Sequence, residues 1–230
     1  MVHPIERLRF VARAGWAGPS ELAVEAAYAL AELAEQEPAA LLPACRRLLE
    51  RNPGLAPLWW VAARVLCAGD PLEEADRCAG ELEDDRTEEL LEEALAGRRW
   101  IRHGGVAEAT TAEVVVVSVD ALGPTGMTID GDDRGVLEAA AVADAEVWAL
   151  SGAGRVLPPR LWQALLERAD MPPPVSRTTA SSWFESVSRT PVVAELSAVR
   201  RVAGPRGVVG VSEALAECDC PEPPELVARW

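Results

Sequence analysis

Apolar positions recur at helical spacing from Pro4 to about Ala96. In "PSELAVEAAYALAELAEQ" the residues Leu22, Ala26, Leu30 and Leu33 share one face, and Glu21, Glu25, Glu32 and Glu35 lie off it. "PAALLPACRRLLERN" predicts a second helix, stopped by Asn52 and Pro53, and "PLWWVAARVLCAG" a third, stopped by Gly69. Asp70 reads as an N-cap, with Pro71 at the first helical position and Glu73 closing a capping box. The helix that follows carries "EEADRCAGELEDD", and Thr87 is expected to cap a last short one through Leu95. Short helices joined by short loops make a bundle. Trp59 and Trp60 are adjacent, so on a helix they point about 100° apart. Either the helix is covered on two sides and both rings are core, or one of them forms a docking surface for another subunit.

The pattern changes after Arg98 and Arg99. "VVVVSV", residues 114–119, is a continuous β-branched run, as in a strand covered on both faces. "DRGVLEAAAVA", 133–143, predicts a helix; "VWALS", 147–151, a second strand; and "PPRLWQALLERA", from Pro158, another helix opened by proline. Strand–helix–strand–helix alternation implies a parallel sheet with right-handed crossovers. Residues 171–190, rich in Pro, Ser and Thr, predict a long loop, either an ordered lid or a mobile one. "PVVAELSAVRRVAGPRGVVGVSEAL" adds a further strand and helix, and the tail "ECDCPEPPELVARW" is expected to be extended. The expected fold class is α/β: a helical bundle over 1–96, then a reduced Rossmann-like parallel-sheet domain over 97–230.

Composition narrows the classes of function. Of 230 residues 49% are apolar, enough for a packed core. No apolar run approaches the roughly 18 residues of a membrane span, and "MVHPIERLRF" lacks a hydrophobic signal core, so a cytoplasmic protein with no membrane partner is expected. Five cysteines, mostly within helical patterns, fit reduced thiols. A net charge of −15 would repel phosphates, which argues against nucleic acid as the main partner. All the positive charge is arginine, which excludes a Walker lysine, a Schiff-base lysine and a lysine phosphate clamp. Abundant Ala, Arg and Gly point to a GC-rich coding sequence as the cause.

In open parallel sheets, ligands sit beyond the carboxyl ends of the strands. Asp120 and Ser151 stand at two such ends, followed by "ALGPTG" and "GAG". The candidate ligand crevice is therefore Ser118, Asp120, Thr125, Gly126, Ser151, Gly152 and Arg155. Asp120 has a second reading, as a strand-end carboxylate that satisfies backbone N–H groups in its turn. "CDC", Cys218 to Cys220, lacks partner ligands at metal-binding spacing, so no metal is expected. "GAGRVL" lacks the third glycine of the dinucleotide fingerprint, and no cofactor is expected. "GDDRG" reads as a helix start with acidic residues at its positive end. His3 and His103 are the only histidines, and no G-x-S-x-G elbow accompanies them.

The segment "SVDALGPTGMTIDGDDRGVLEAAAVADAEVWALSG" resembles the superfamily of the initiation factor 2B alpha, beta and delta subunits, methylthioribose-1-phosphate isomerase and ribose-1,5-bisphosphate isomerase. The superfamily's strand–loop–helix–strand reads Gly-Ala-Asp, Asn-Gly, then Asn-Lys-x-Gly-Thr. Asp120 falls on the family's aspartate and Gly126 on the glycine of Asn-Gly. Thr125 replaces the asparagine, Asp130 and Gly131 replace Asn-Lys, and Asp133 and Arg134 replace Gly-Thr. "AELSAVRRVAGPRGVVGVSEAL" is similar to the closing segment. In the isomerases a cysteine from an earlier βα unit works with this aspartate. Here "AGRRWIRHGGVAEATTAE" is too short for two such units, and no cysteine lies between Cys78 and Cys218.

The resemblance then implies an initiation-factor-2B-like, non-catalytic binding or regulatory protein, forming a homodimer or docking a protein partner. One alternative is an enzyme acting on a small phosphorylated ligand, a sugar or nucleoside, with Asp120 as its acid–base group. Arg155 or Arg134 would hold the phosphate. The other is an accessory scaffold that docks a partner through the helical half.

Overall fold

Alanines set the spacing of the helical half. The computed structural model describes residues 18–102, 105–169 and 192–228. Five helices run in sequence: α1 (Pro19–Gln36), α2 (Leu41–Arg51), α3 (Ala56–Cys67), α4 (Pro71–Glu83) and α5 (Thr87–Ala94). α1 buries Leu22, Ala26, Leu30 and Leu33 as their spacing predicts, and Ala23, Ala27 and Ala29 beside them. α4 presents Ala75, Cys78 and Ala79 in return. Small side chains on both faces let the two axes approach closely. α3 is apolar almost all round and lies in the middle of the bundle. Trp59 and Trp60 are 0% and 1% exposed, so both rings are core. Trp59 Nε1 donates to the Pro53 carbonyl at 2.9 Å, and Trp60 Nε1 to Asp219 Oδ1 at 3.0 Å.

Capping follows the sequence in part at one helix, where Asp70 caps but Glu73 turns to Arg77 instead of closing the box, and departs from it at the next. Asp70 caps α4, accepting from Glu73 N at 3.1 Å, while the Glu73 carboxylate pairs with Arg77 at 2.9 Å. Thr87 is not the cap of α5 but its first residue. Its N–H and hydroxyl both donate to Asp85 Oδ1, at 3.0 and 2.5 Å. The carboxylate two residues upstream outcompetes a hydroxyl as acceptor.

The second half contains β1 (Trp100–Arg102), α6 (Val106–Ala109), β2 (Val114–Gly123), β3 (Gly126–Ile129), α7 (Asp133–Val142), β4 (Glu146–Leu150) and α8 (Pro159–Ala169). After the expected loop at 171–190, which lies outside the described residues, come β5 (Val192–Ala194), β6 (Val199–Gly204), β7 (Gly207–Val209), α9 (Val211–Ala216) and α10 (Pro224–Val227). The sheet order is β5-β3-β2-β4-β6-β7, and β1 pairs with β2. β1, β2, β4 and β6 are parallel, as the alternation implies. β3, β5 and β7 add antiparallel strands, so the sheet is mixed. β1–α6 is a very short βα unit between the halves, and the tail ends in a turn of helix rather than running extended throughout.

Side-chain alternation divides the sheet into two faces. Val115, Val117, Val119, Val147 and Ala149 pack under α7 and α9. Val114, Val116, Trp148 and Leu150 pack under Leu91 and Leu95, the latter just past the end of α5. Ala121, Ala153, Leu157 and Trp162 belong instead to the bundle's core, together with Cys220 and Leu226 from the tail. Among the described residues no helix is long and apolar enough to cross a membrane.

Candidate functional site at the strand ends

β2 changes partners at Asp120. Up to Ser118, which pairs with Leu150, the strand runs parallel to β4. From Val119 it pairs antiparallel with β3, and the register slips between Val119 and Ala121. Asp120 is thus not the last residue of its strand, which continues to Gly123, but the bulged residue where the parallel sheet gives way to a hairpin. Bulges re-aim side chains, and this one turns a carboxylate toward the turn that follows β4.

Arg155 meets it there. Its side chain is 17% exposed, and Nη1 donates to the Val119 carbonyl at 2.5 Å and lies 4.0 Å from Asp120 Oδ1. Burial pushes the guanidinium below its ordinary pKa, and the carboxylates of Asp120 and Asp85 partly offset that. From β1, Arg102 donates to Ser118 Oγ at 3.3 Å and to Glu88 Oε1 at 3.0 Å. Ser118, Asp120 and Arg155 are therefore brought together, with Arg102 and Glu88 beside them. The last two carried no signal in the sequence, because β1 has only three residues and α5 belongs to the other half.

Ser151, Gly152 and the turn after them serve a different corner. Asp85 reaches across from the bundle, and its Oδ2 accepts from Ala153 N at 2.8 Å. A Cβ at Gly152 would stand 2.5 Å from that oxygen and would force the carboxylate to move. Gly154 has φ +72°, and a Cβ there would lie 3.1 Å from the Trp60 ring. "GAG" is thus the close-approach surface between the sheet and the bundle. The pattern Asp85-x-Thr87, an Asx turn, was the available clue to Asp85. Ser151 is 1% exposed, and among the described residues its hydroxyl has no hydrogen-bond partner. It lines a cleft of about 580 Å³ between the α4–α5 corner, the β6–β7 hairpin and the segment after α9.

Thr125 and Gly126 lie elsewhere, at the hairpin tip. Thr125 Oγ1 accepts from Trp162 Nε1 at 2.9 Å, and Gly126 packs against the Ala194 carbonyl. Three strand residues separate Asp120 from the tip, roughly 10 Å at strand rise. Arg134 is exposed on α7, 3.8 Å from Glu138. The acidic stretch before it opens that helix, with Asp130 Oδ1 accepting from Asp132 N at 3.2 Å. His3 and His103 lie outside the described residues. Burial pushes the Cys45 and Cys78 thiols up to about 12 and raises Cys218 and Cys220 as well, so neutral thiols rather than nucleophilic thiolates fill these positions. Among the described residues no group of three or more His, Cys, Asp or Glu is placed to hold a metal ion.

A helical bundle followed by a covered, centrally parallel sheet defines the class: an α/β protein of the initiation factor 2B and methylthioribose-1-phosphate isomerase fold. Solved structures agree. The chain is similar to eIF2B beta from Chaetomium thermophilum, with a TM-score of 0.68 at 11% identity over 96% of this chain and 92% of that one. It is similar to a chain of the tetrameric eIF2B-beta2-delta2 complex from C. thermophilum, at 0.66 and 12% over 92% of each. It is also similar to 5-methylthioribose 1-phosphate isomerase from Pyrococcus horikoshii, at 0.54 and 11% over 93% and 87%. At these identities the likeness is one of fold. No sequence-family model matches the chain, and no curated protein sequence does.

Proposed function

We infer that this protein is a divergent member of that superfamily which acts by binding rather than by isomerisation, and that it works as a homodimer. The observation that carries the reading is the position of Arg155. A guanidinium that would hold a substrate phosphate is turned inward, onto the Val119 carbonyl and beside Asp120. Arg102, the other cation at this corner, is engaged by Ser118 and Glu88. The carboxylate that the resemblance makes half of an acid–base pair thus has an arginine as its neighbour, which is poor equipment for moving a proton between substrate carbons. The residues before β2 supply one very short βα unit, and its described part holds no cysteine.

The rival reading, an enzyme with Asp120 as acid–base group, needs Arg155 to swing out and leave Val119 unbonded. Scaffolding through the helical half loses its leading feature, since Trp59 and Trp60 are both core. The eIF2B-beta2-delta2 complex that the chain resembles in fold is a tetramer, which supports assembly here too. The segments 1–96 and 97–230 act as one unit in this proposal, because residues of the second complete the core of the first.

The test is a turnover assay with methylthioribose-1-phosphate and ribose-1,5-bisphosphate. No conversion above background is expected, and conversion abolished by Asp120→Asn would overturn the reading. Light scattering at micromolar concentration should give the mass of a dimer.

A further inference from the structure

The cleft above Ser151 is acidic and lined on several sides. Glu81, Asp84 and Asp85 line it from the α4–α5 corner, and Glu217 and Asp219 from the segment after α9. Two arginines line it as well, and each has a carboxylate partner: Arg86 is 2.7 Å from Glu89, and Arg206 is 3.6 Å from Glu217. Trp60, Leu90, Val156 and Val202 supply apolar surface. Ser151 lines the cleft, and its hydroxyl is buried and without a partner among the described residues. A hydroxyl in that position bears its full desolvation cost until a donor or acceptor reaches it.

We propose that this cleft binds a small organic cation, an amine or guanidinium on an alkyl chain, whose N–H groups are shared between Ser151 Oγ and the Asp84 and Glu217 carboxylates. Charge selects the sign of the ligand. Five carboxylates face two paired arginines and Arg64, which engages Glu81 and Asp219 at 2.8 and 3.4 Å from beside the cleft. The balance stays negative, so the cleft repels phosphate and attracts ammonium, and the net charge of −15 steers cations toward the molecule. Geometry selects an organic ion over a bare metal. Carboxylates spread around a cleft can each take one N–H of an extended cation, whereas a metal needs its oxygens converging on one point, and no such group occurs among the described residues. A volume of about 580 Å³ with an apolar wall accommodates the methylene chain. This inference concerns the Ser151 corner and stands apart from the non-catalytic reading of the Asp120 corner.

Agmatine and spermidine are the probes, titrated into the full chain by calorimetry at low ionic strength. Saturable binding at one site per chain is expected. Asp84→Asn changes an exposed residue, and it should weaken binding by about tenfold. Ser151→Ala should weaken it several-fold while leaving the melting temperature of the free protein unchanged or higher. Three results would overturn the proposal: no heat of binding; binding indifferent to both substitutions, the mark of a diffuse acidic surface; or inorganic phosphate competing with the probes for the site. Because Asp84→Asn and Ser151→Ala each test the site alone, a folding defect in one leaves the other decisive.

Discussion

Two corners of the sheet look alike in the sequence and differ in the structure. In the sequence Asp120 and Ser151 both precede a glycine-containing turn, but only Ser151 stands just past the end of its strand, whereas Asp120 is the bulged residue where β2 leaves β4 for the hairpin with β3. At the first, elements from both halves close in: Arg155 bonds the Val119 carbonyl beside Asp120, and Arg102 ties Ser118 to Glu88. At the second, Asp85 pins the turn from one side, and the other side faces a cleft. The strand-end rule locates candidates, but what fills them comes from segments distant in sequence. Arg155 lies 36 residues from Val119, and Asp85 lies 68 from Ala153.

The largest effect should come from Arg155→Met. It removes a donor from a buried carbonyl and a cation from beside Asp120, and should cost roughly 2–4 kcal/mol in a urea melt. A loss below about 1 kcal/mol would mean that the corner is held by something else, and the contrast between the corners would collapse. Gly152→Ala comes next. Its methyl group would displace the Asp85 carboxylate, breaking the bonds to Ala153 and Thr87 for a cost of about 1–3 kcal/mol. A double variant Gly152→Ala, Asp85→Ala no less stable than Asp85→Ala alone, read as a coupling energy, would confirm the contact.

Asp120→Asn is gentler, because the amide keeps the shape and can still accept. The Asp120 side chain is 33% exposed and the ion pair is 4.0 Å long, so about 1 kcal/mol or less is expected. A variant markedly more stable than wild type would instead mark Asp120 as a carboxylate held for a ligand. Smallest of all is Ser151→Ala, with a change within about 0.5 kcal/mol, and on the stabilising side, since an unsatisfied hydroxyl is removed. A clear destabilisation would show that Ser151 bonds a group inside the protein and would undercut the second corner.

Much of the architecture was legible because it is periodic. The apolar face of α1, the nearly continuous apolar stretch of α3 and the valine run of β2 each extend over enough residues to register. β1, β5 and β7 have three residues each, too few for alternation to register. The hairpin β2–β3 leaves little signature, because Gly123, Pro124 and Gly126 mark a turn without saying that the strand resumes beyond it. The site was half legible. Ser118, Asp120 and Arg155 converge, but Thr125 is committed to Trp162, and Gly152 makes room for a carboxylate that no local pattern could assign to it.

The strap formed by residues 217–228 has a consequence for synthesis. Asp219 holds Trp60 from 159 positions downstream, and the Glu225 carbonyl accepts from Arg46 across 179. Arg168 donates to the carbonyls of Leu226 and Ala228 and sits over the Trp59 ring. Helices that leave the ribosome first therefore cannot finish packing until nearly the whole described chain has followed them, and contacts this distant close slowly. A nascent chain arrested before α9 should remain protease-sensitive around α3, and one arrested after α10 has emerged should become resistant in a single step.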